Sequence, residues 1–184
     1  MPFRIRPLRA GVLLLSTALA AGALTGCSAL SPFTTCDDTE GRLRELAALP
    51  LLASPPPGAK APAGEAATYA ECAEDSGDAW LSAGRLYAYP GTPQEVVAHY
   101  RAAAVAGGWQ VRTPRSPYAD PELEVCFTGG EEGHAWLVTV IWTSRRELIE
   151  FYGQSLGPEF STDLVFRIEA GAESDGARTS CWDD

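Results

Sequence analysis

The stretch GTPQEVVAHYRAAAVAGGWQV, Gly91 to Val111, carries both ends of a helix in its own spelling. Thr92 and Glu95 have the spacing of a capping box, in which the hydroxyl meets a backbone N–H and the carboxylate reaches back to the cap. Pro93 takes the first helical position, where its missing N–H costs nothing. Val96, Tyr100 and Ala103 make an apolar stripe with Val97 and Ala104 beside it, and Gly107-Gly108 supplies a left-handed C-terminal cap. Trp109 then opens an extended segment. A helix closed at both ends and apolar on one side demands a surface to pack on.

The flanking segments supply that surface. AWLSAGRLYAY, before the helix, is rich in β-favouring aromatics, and WQVRT comes after it. ELEVCFT alternates Leu123, Val125 and Phe127 against Glu124, Cys126 and Thr128. HAWLVTVIW is apolar on both faces, as a central strand is. DLVFRIEA sets Leu164, Phe166 and Ile168 against Arg167 and Glu169. CDDTEGRLRELAALP reads as a second helix, with Asp37 and Asp38 as caps, Leu43, Leu46 and Leu49 at helical spacing, and Pro50 as the stop. In SRRELIEFY, Ser144 and Glu147 suit another capping box, so a short helix competes there with a strand. The expected fold class is α+β: a mostly antiparallel sheet of about four to six strands with two or three helices packed on one face.

The chain's first residues read differently. Arg4, Arg6 and Arg9 form a basic n-region ahead of the apolar run GVLLLSTALAAGAL, Gly11 to Leu24, the order of a secretory signal. That run is short of the roughly 20 residues a spanning helix needs. LTGC, Leu24 to Cys27, closes it and resembles the lipobox of bacterial lipoproteins. The resemblance implies that Cys27 takes a diacylglycerol and becomes the N-terminus after residues 1–26 are removed. Acyl carbons buried at about 0.8 kcal/mol each then hold the protein on a bilayer surface without spanning it. The expected address is the outer face of the cell membrane. The chain then reads as three parts: the signal 1–26 that the resemblance implies, a short tether 27–35, and one domain 36–184 whose Pro-, Ala- and Gly-rich stretch at 53–68, without apolar period, is a loop.

With Cys27 assigned to lipid, Cys36, Cys72, Cys126 and Cys181 remain, an even number in an oxidising compartment. None of their spacings is C-x-x-C and no histidine is close in sequence, which argues against zinc or thioredoxin chemistry. Two structural disulfides are expected. Three connectivities are open; pairing Cys36 with Cys72 and Cys126 with Cys181 closes two separate loops, and the spacing does not choose it over the others.

After Cys27 the chain keeps 11 basic residues against 24 acidic ones, and Lys60 is its only lysine there. Polyanion binding needs clustered positive charge, so nucleic acid is a poor partner, as is electrostatic docking on anionic lipid. A basic protein partner or diffuse divalent cations suit this field better, although a solvated acidic surface is its simplest meaning.

One motif promises catalysis. GQSLG, Gly153 to Gly157, fits the G-x-S-x-G elbow of serine hydrolases, with Ser155 as nucleophile. An elbow needs a strand before the serine, a helix after it and a histidine further along the chain. Here both histidines, His99 and His134, lie upstream, and the chain after Pro158 turns into a strand. The motif reads as a glycine-flanked turn. Glu131, Glu132 and His134 are a thin metal set and read as a loop of solvated charge. Glu74, Asp75 and Asp78 lack the spacing of a calcium loop and read as a β-turn. Trp80, Trp109, Trp136, Trp142 and Trp182 fit a disulfide-bonded core better than a stacking platform. YPGTPQEVVAHYRAAAVAGGWQV also resembles a pattern of small lipoproteins from high-GC, actinobacterial-type genomes, a resemblance that brings no activity with it. The expectation is no enzyme, no cofactor and no metal: an extracytoplasmic binding or interaction module that meets the membrane through Cys27 and an envelope protein or small ligand through its domain. An envelope hydrolase using Ser155 is the alternative.

Overall fold

The computed structural model describes residues 34–62, 68–75, 77–112, 123–131, 134–152, 156, 158, 160, 164–177 and 180–181. Among the described residues three helices and six strands follow in the order α1 (Glu40–Ala47), β1 (Thr68–Asp75), β2 (Asp78–Tyr89), α2 (Pro93–Ala106), β3 (Gln110–Arg112), β4 (Cys126–Gly129), β5 (Trp136–Trp142), α3 (Arg145–Tyr152) and β6 (Leu164–Glu173). The strands form one sheet in the order β1-β2-β6-β5-β4-β3, and every pairing is antiparallel. The chain is α+β, with β5 and β6 at the centre of the sheet.

Helix α2 begins and ends where its residues dictate. The Thr92 hydroxyl accepts from the Glu95 N–H, and the Glu95 carboxylate accepts from the Thr92 N–H at 2.8 Å. At the other end Gly108 takes the positive φ of 78°. Its N–H bonds the Val105 carbonyl while that of Trp109 bonds Ala104, the paired closure of a Schellman cap. Val96, Val97, Tyr100 and Ala104 are buried. Each of the larger side chains contributes about 1.5–3 kcal/mol by leaving water, so packing, more than propensity, holds the helix.

Strand alternation divides the sheet into two faces. Leu81, Ala83 and Tyr87 of β2, Phe166, Ile168 and Ala170 of β6, Val138 and Val140 of β5, and Phe127 of β4 form the main core with Leu46 of α1 and Val96 and Tyr100 of α2. The opposite face has a smaller cluster at one end, where Leu86, Ala88 and Val165 meet Leu148 of α3 and Phe160. Two helices therefore share one face, and α3 packs its leucine against the other.

Both disulfides form. Cys36 bonds Cys72, tying the approach to α1 onto β1, and Cys126 bonds Cys181, tying the C-terminal segment onto β4, with Cα separations of 5.8 and 5.9 Å. The structure thus selects the connectivity that closes two separate loops.

Several local readings need correction. The cap of α1 is Thr39, not Asp37 or Asp38, and its side chain makes no cap bond to the helix. Instead it donates to the Cys36 carbonyl at 2.8 Å. The disulfide at Cys36 and the left-handed backbone of Asp38, φ 59°, turn the chain so sharply that the helix starts one residue later. Strand β1 carries no alternating apolar signal, being exposed along most of its length, and it occupies residues read as loop end and acidic turn. Its partner β2 and the Cys36 bond hold it in place. The acidic turn itself is present, shortened to the hairpin joining Asp75 to Asp78, with Gly77 at φ 95°. Within the Pro/Ala-rich segment, Lys60 exchanges two backbone hydrogen bonds of 2.8 Å with Ala88 of β2. Before β6 the capping box wins: the Glu147 carboxylate accepts from the Ser144 N–H, and a helix forms.

Candidate functional site

The two faces of the sheet present different chemistry. On the far face, the rings of Tyr69 on β1 and Trp80 on β2 lie over two glycines. A Cβ on Gly84 would stand 2.5 Å from the Tyr69 ring, and one on Gly171 would stand 2.4 Å from the Trp80 ring. Only glycine lets the rings lie this flat on the backbone, an arrangement that covers the bare glycine backbone and fixes the ring. Arg167 stacks 5.7 Å from the Tyr69 ring centroid and pairs with Glu169 at 2.9 Å. Leu137, Thr139 and Ile141 of β5 continue this face, each half-buried. Leu148 of α3 packs on this face at one end, against Leu86, Ala88, Val165 and Phe160.

The rim of that face is acidic. Glu71 is exposed on β1 in register with Ser82 on this face, and Glu173, at the end of β6, is registered against Trp80. Burial holds the Glu173 carboxyl above its ordinary range, and the nearby charges of Asp175 and Asp78 push the same way. A cation arriving here would relieve crowded like charge.

On the helix-covered face two tyrosines sit in the core and a half-buried arginine lies on the same face. Arg85 lies in register between Thr68 and Ile168, two residues before Tyr87 on the same face. Tyr87 donates its hydroxyl to the Leu52 carbonyl at 3.0 Å, and Arg85 stands beside that hydroxyl. Tyr100, 0% exposed, packs edge-on against Phe166 with ring centroids 6.0 Å apart, and Tyr87 flanks the same ring at 5.6 Å. The Tyr100 hydroxyl is buried and finds no hydrogen-bond partner among the described residues. Burial drives its pKa far up, with the neighbouring Tyr87 adding to the shift and the Arg85 charge opposing it.

The residues singled out by sequence fall in several places. Cys27, Ser155, Glu132 and Trp182 lie outside the described residues. Helix α3 precedes Gly153 and strand β6 comes after Phe160, the reverse of the strand–serine–helix order an elbow uses. His99 donates from Nε2 to the Ser54 carbonyl at 2.8 Å and meets the Tyr100 ring edge-on. His134 is exposed, its backbone N–H bonded to the Glu131 carbonyl. Among the described residues no three His, Cys, Asp or Glu side chains come together as metal ligands would. Trp136 is buried under the Arg42 guanidinium, 5.3 Å from its ring centroid, while Arg42 also donates to the Ser174 carbonyl at 2.8 Å. Trp142 donates from its indole to the Leu123 carbonyl at 2.9 Å, and Trp109 rests against Gly129. These three tryptophans belong to the core; Trp80 alone of those described faces the other way.

Sequence reasoning passed over Tyr69, Gly84, Arg85, Tyr87 and Gly171. Arg85 was legible in principle. In LSAGRLYAY, period-two alternation puts Leu81, Ala83, Arg85 and Tyr87 on one face, so a cation had to point at the core. No family model, no curated protein and no solved structure matches this chain.

Proposed function

We propose that this chain is an extracytoplasmic lipoprotein, anchored through diacylglycerol on Cys27, whose domain is a non-catalytic binding module for a basic protein partner of the cell envelope. The carrying observation is the far face of the sheet. Tyr69 and Trp80 are fixed over Gly84 and Gly171, with the crowded carboxylates of Glu173, Asp175 and Asp78 at its margin. Rigid aromatic area surrounded by charge of one sign suits a partner that brings an apolar or cationic segment with positive surroundings. The LTGC box and the apolar run before it support the anchor, and the short tether keeps the domain near the bilayer.

The test is made in cells with the full chain and its Cys27→Ser variant. Labelled palmitate should enter the first and not the second, and the variant should leave the membrane fraction. In-cell crosslinking with mass spectrometry should then recover one reproducible partner with a basic surface, lost in the variant. Equal labelling of both forms would overturn the anchor. An acidic partner, or a partner retained by the released form at full strength, would overturn the proposed mode of binding.

A further inference from the structure

Strand β1 ends the sheet, and among the described residues no strand pairs with its outer side. Open edges are ordinarily blunted by lysine, proline, a bulge or shortness. TYAECAED has eight residues without lysine or proline, and its register with β2 runs unbroken from Thr68 opposite Arg85 to Asp75 opposite Asp78. The hydrogen bonds of β2 show which backbone groups of β1 point outward. Ala88 exchanges two bonds with Lys60 on the side away from β6, whereas the Ala79 carbonyl accepts from the Ser174 N–H at 2.9 Å on the side of β6. Alternation then directs Trp80, Ser82 and Gly84 to β1, where they face Ala73, Glu71 and Tyr69 as hydrogen-bonded pairs. Ala70, Cys72 and Glu74 turn their N–H and C=O groups the other way. The disulfide to Cys36 leaves Cys72 on the covered face, where Cys72 packs on the core, so it fixes the strand without spending that outer row.

We propose that β1 is a docking edge, on which an extended basic segment of the envelope partner pairs as a seventh strand. Main-chain hydrogen bonds to Ala70, Cys72 and Glu74 would hold such a segment, and its alternate side chains would select it. Charge decides what kind of segment fits. Glu71 stands on the far face of the strand and Glu74 on the covered face, with Asp75 beyond them and no basic residue among the eight. A second copy of β1 would bring three like charges against these three, which opposes self-pairing; lysines and arginines on an incoming strand meet a carboxylate on either face. The inference rests on the reading of this domain as a module for a basic partner, and adds the conformation of the bound segment and its place.

The experiment compares the full chain with Ala70→Pro and Ala70→Val by in-cell crosslinking and mass spectrometry. Proline at residue 70 removes one outward N–H and none that β2 uses, a place where edge strands tolerate it. Valine keeps the N–H and favours the strand. Capture of the basic partner should fall about tenfold in Ala70→Pro, the loss of one main-chain hydrogen bond, and stay at the parent level in Ala70→Val. Hydrogen exchange on the complex purified with the parent chain gives a second reading that needs no variant. The amides of Ala70, Cys72 and Glu74 should exchange more slowly in the complex than in the free chain. Parent-level capture by a folded Ala70→Pro protein, or unchanged exchange at these three amides, would overturn the seventh strand and leave the basic partner standing. A parent chain that captures no basic protein would overturn the reading beneath it as well.

Discussion

The helix-covered face of the sheet and the face behind it are built from the same six strands and reach opposite ends. On the covered face, alternate residues such as Leu81, Phe166, Ile168 and Val138 fill a core closed by α1 and α2. On the far face the intervening residues are Gly84, Arg167, Glu169, Gly171 and Thr139, with two rings laid over the glycines. The first arrangement derives its stability from apolar volume. The second uses aromatic rings to cover a bare backbone and leaves charge at its edges. Binding is therefore to be sought differently on each side. On the far face the whole surface is unusual, whereas on the covered face the departures from ordinary packing are single polar groups in an apolar core, such as the Tyr100 hydroxyl and the Arg42 guanidinium over Trp136.

Measurements on both faces put this contrast at risk. Phe166→Ala, under both helices and between two tyrosines, should cost about 3–5 kcal/mol in urea unfolding. Thr139→Ala on the other side of the sheet should stay within about 0.5 kcal/mol. Equal costs would erase the distinction between the faces. Gly171→Ala should destabilise by about 1–3 kcal/mol, since the new methyl meets the Trp80 ring and must displace it. A change in tryptophan fluorescence should accompany that loss, and a silent spectrum would mean that the ring is not fixed.

Tyr100→Phe should act in the opposite direction. Removing an unpaired buried hydroxyl should stabilise the protein by about 1 kcal/mol, read as a higher urea midpoint at unchanged slope. A destabilised variant would show that the hydroxyl has a partner. The smallest effect concerns pH. Glu173 has a raised carboxyl pKa in the folded state, so the folded chain holds this proton more tightly than the unfolded one. Its contribution therefore falls as pH rises from the ordinary carboxylate range through the folded pKa, and Glu173→Gln should stabilise at neutral pH and change nothing in acid. Glu147 has the opposite sign: hydrogen bonds from the Ser144 side chain and backbone lower its pKa. Its stabilisation is complete above the ordinary carboxylate range and fades as pH falls through the folded pKa, so Glu147→Gln should lose stability at neutral pH and not in acid. Parallel profiles for the two variants would contradict both assignments.

Much of the fold was legible because local chemistry and tertiary structure agree. Helix α2 is written in Thr92, Pro93, Glu95 and the Gly107-Gly108 pair, and β6 in the alternation of Leu164, Phe166 and Ile168. Strand β1 was not legible: an edge strand needs no buried face, and Thr68–Asp75 carries charge where a core strand would carry valine. The N-cap of α1 was misplaced because a disulfide and a left-handed Asp38 set the turn, and neither shows in a capping pattern. The far-face platform was hidden for another reason. Gly84 and Gly171 acquire meaning only when Tyr69 and Trp80 arrive from neighbouring strands, a pairing set by register. Arg85 was visible as a cation in an apolar alternation, but its lack of an acid appears only in three dimensions.

The proposed function requires that the far face meet a basic partner while the protein is held at the membrane. The decisive experiment places a photo-crosslinking residue at one exposed position on each side of the full chain: Glu71 on β1, which the register directs to the far face, and Ala102 on α2. After irradiation in cells, the Glu71 position should capture one protein with a basic surface and the Ala102 position should not. The capture should disappear when Cys27→Ser is added. Capture from Ala102 alone, or equal capture from both positions, would contradict the proposal.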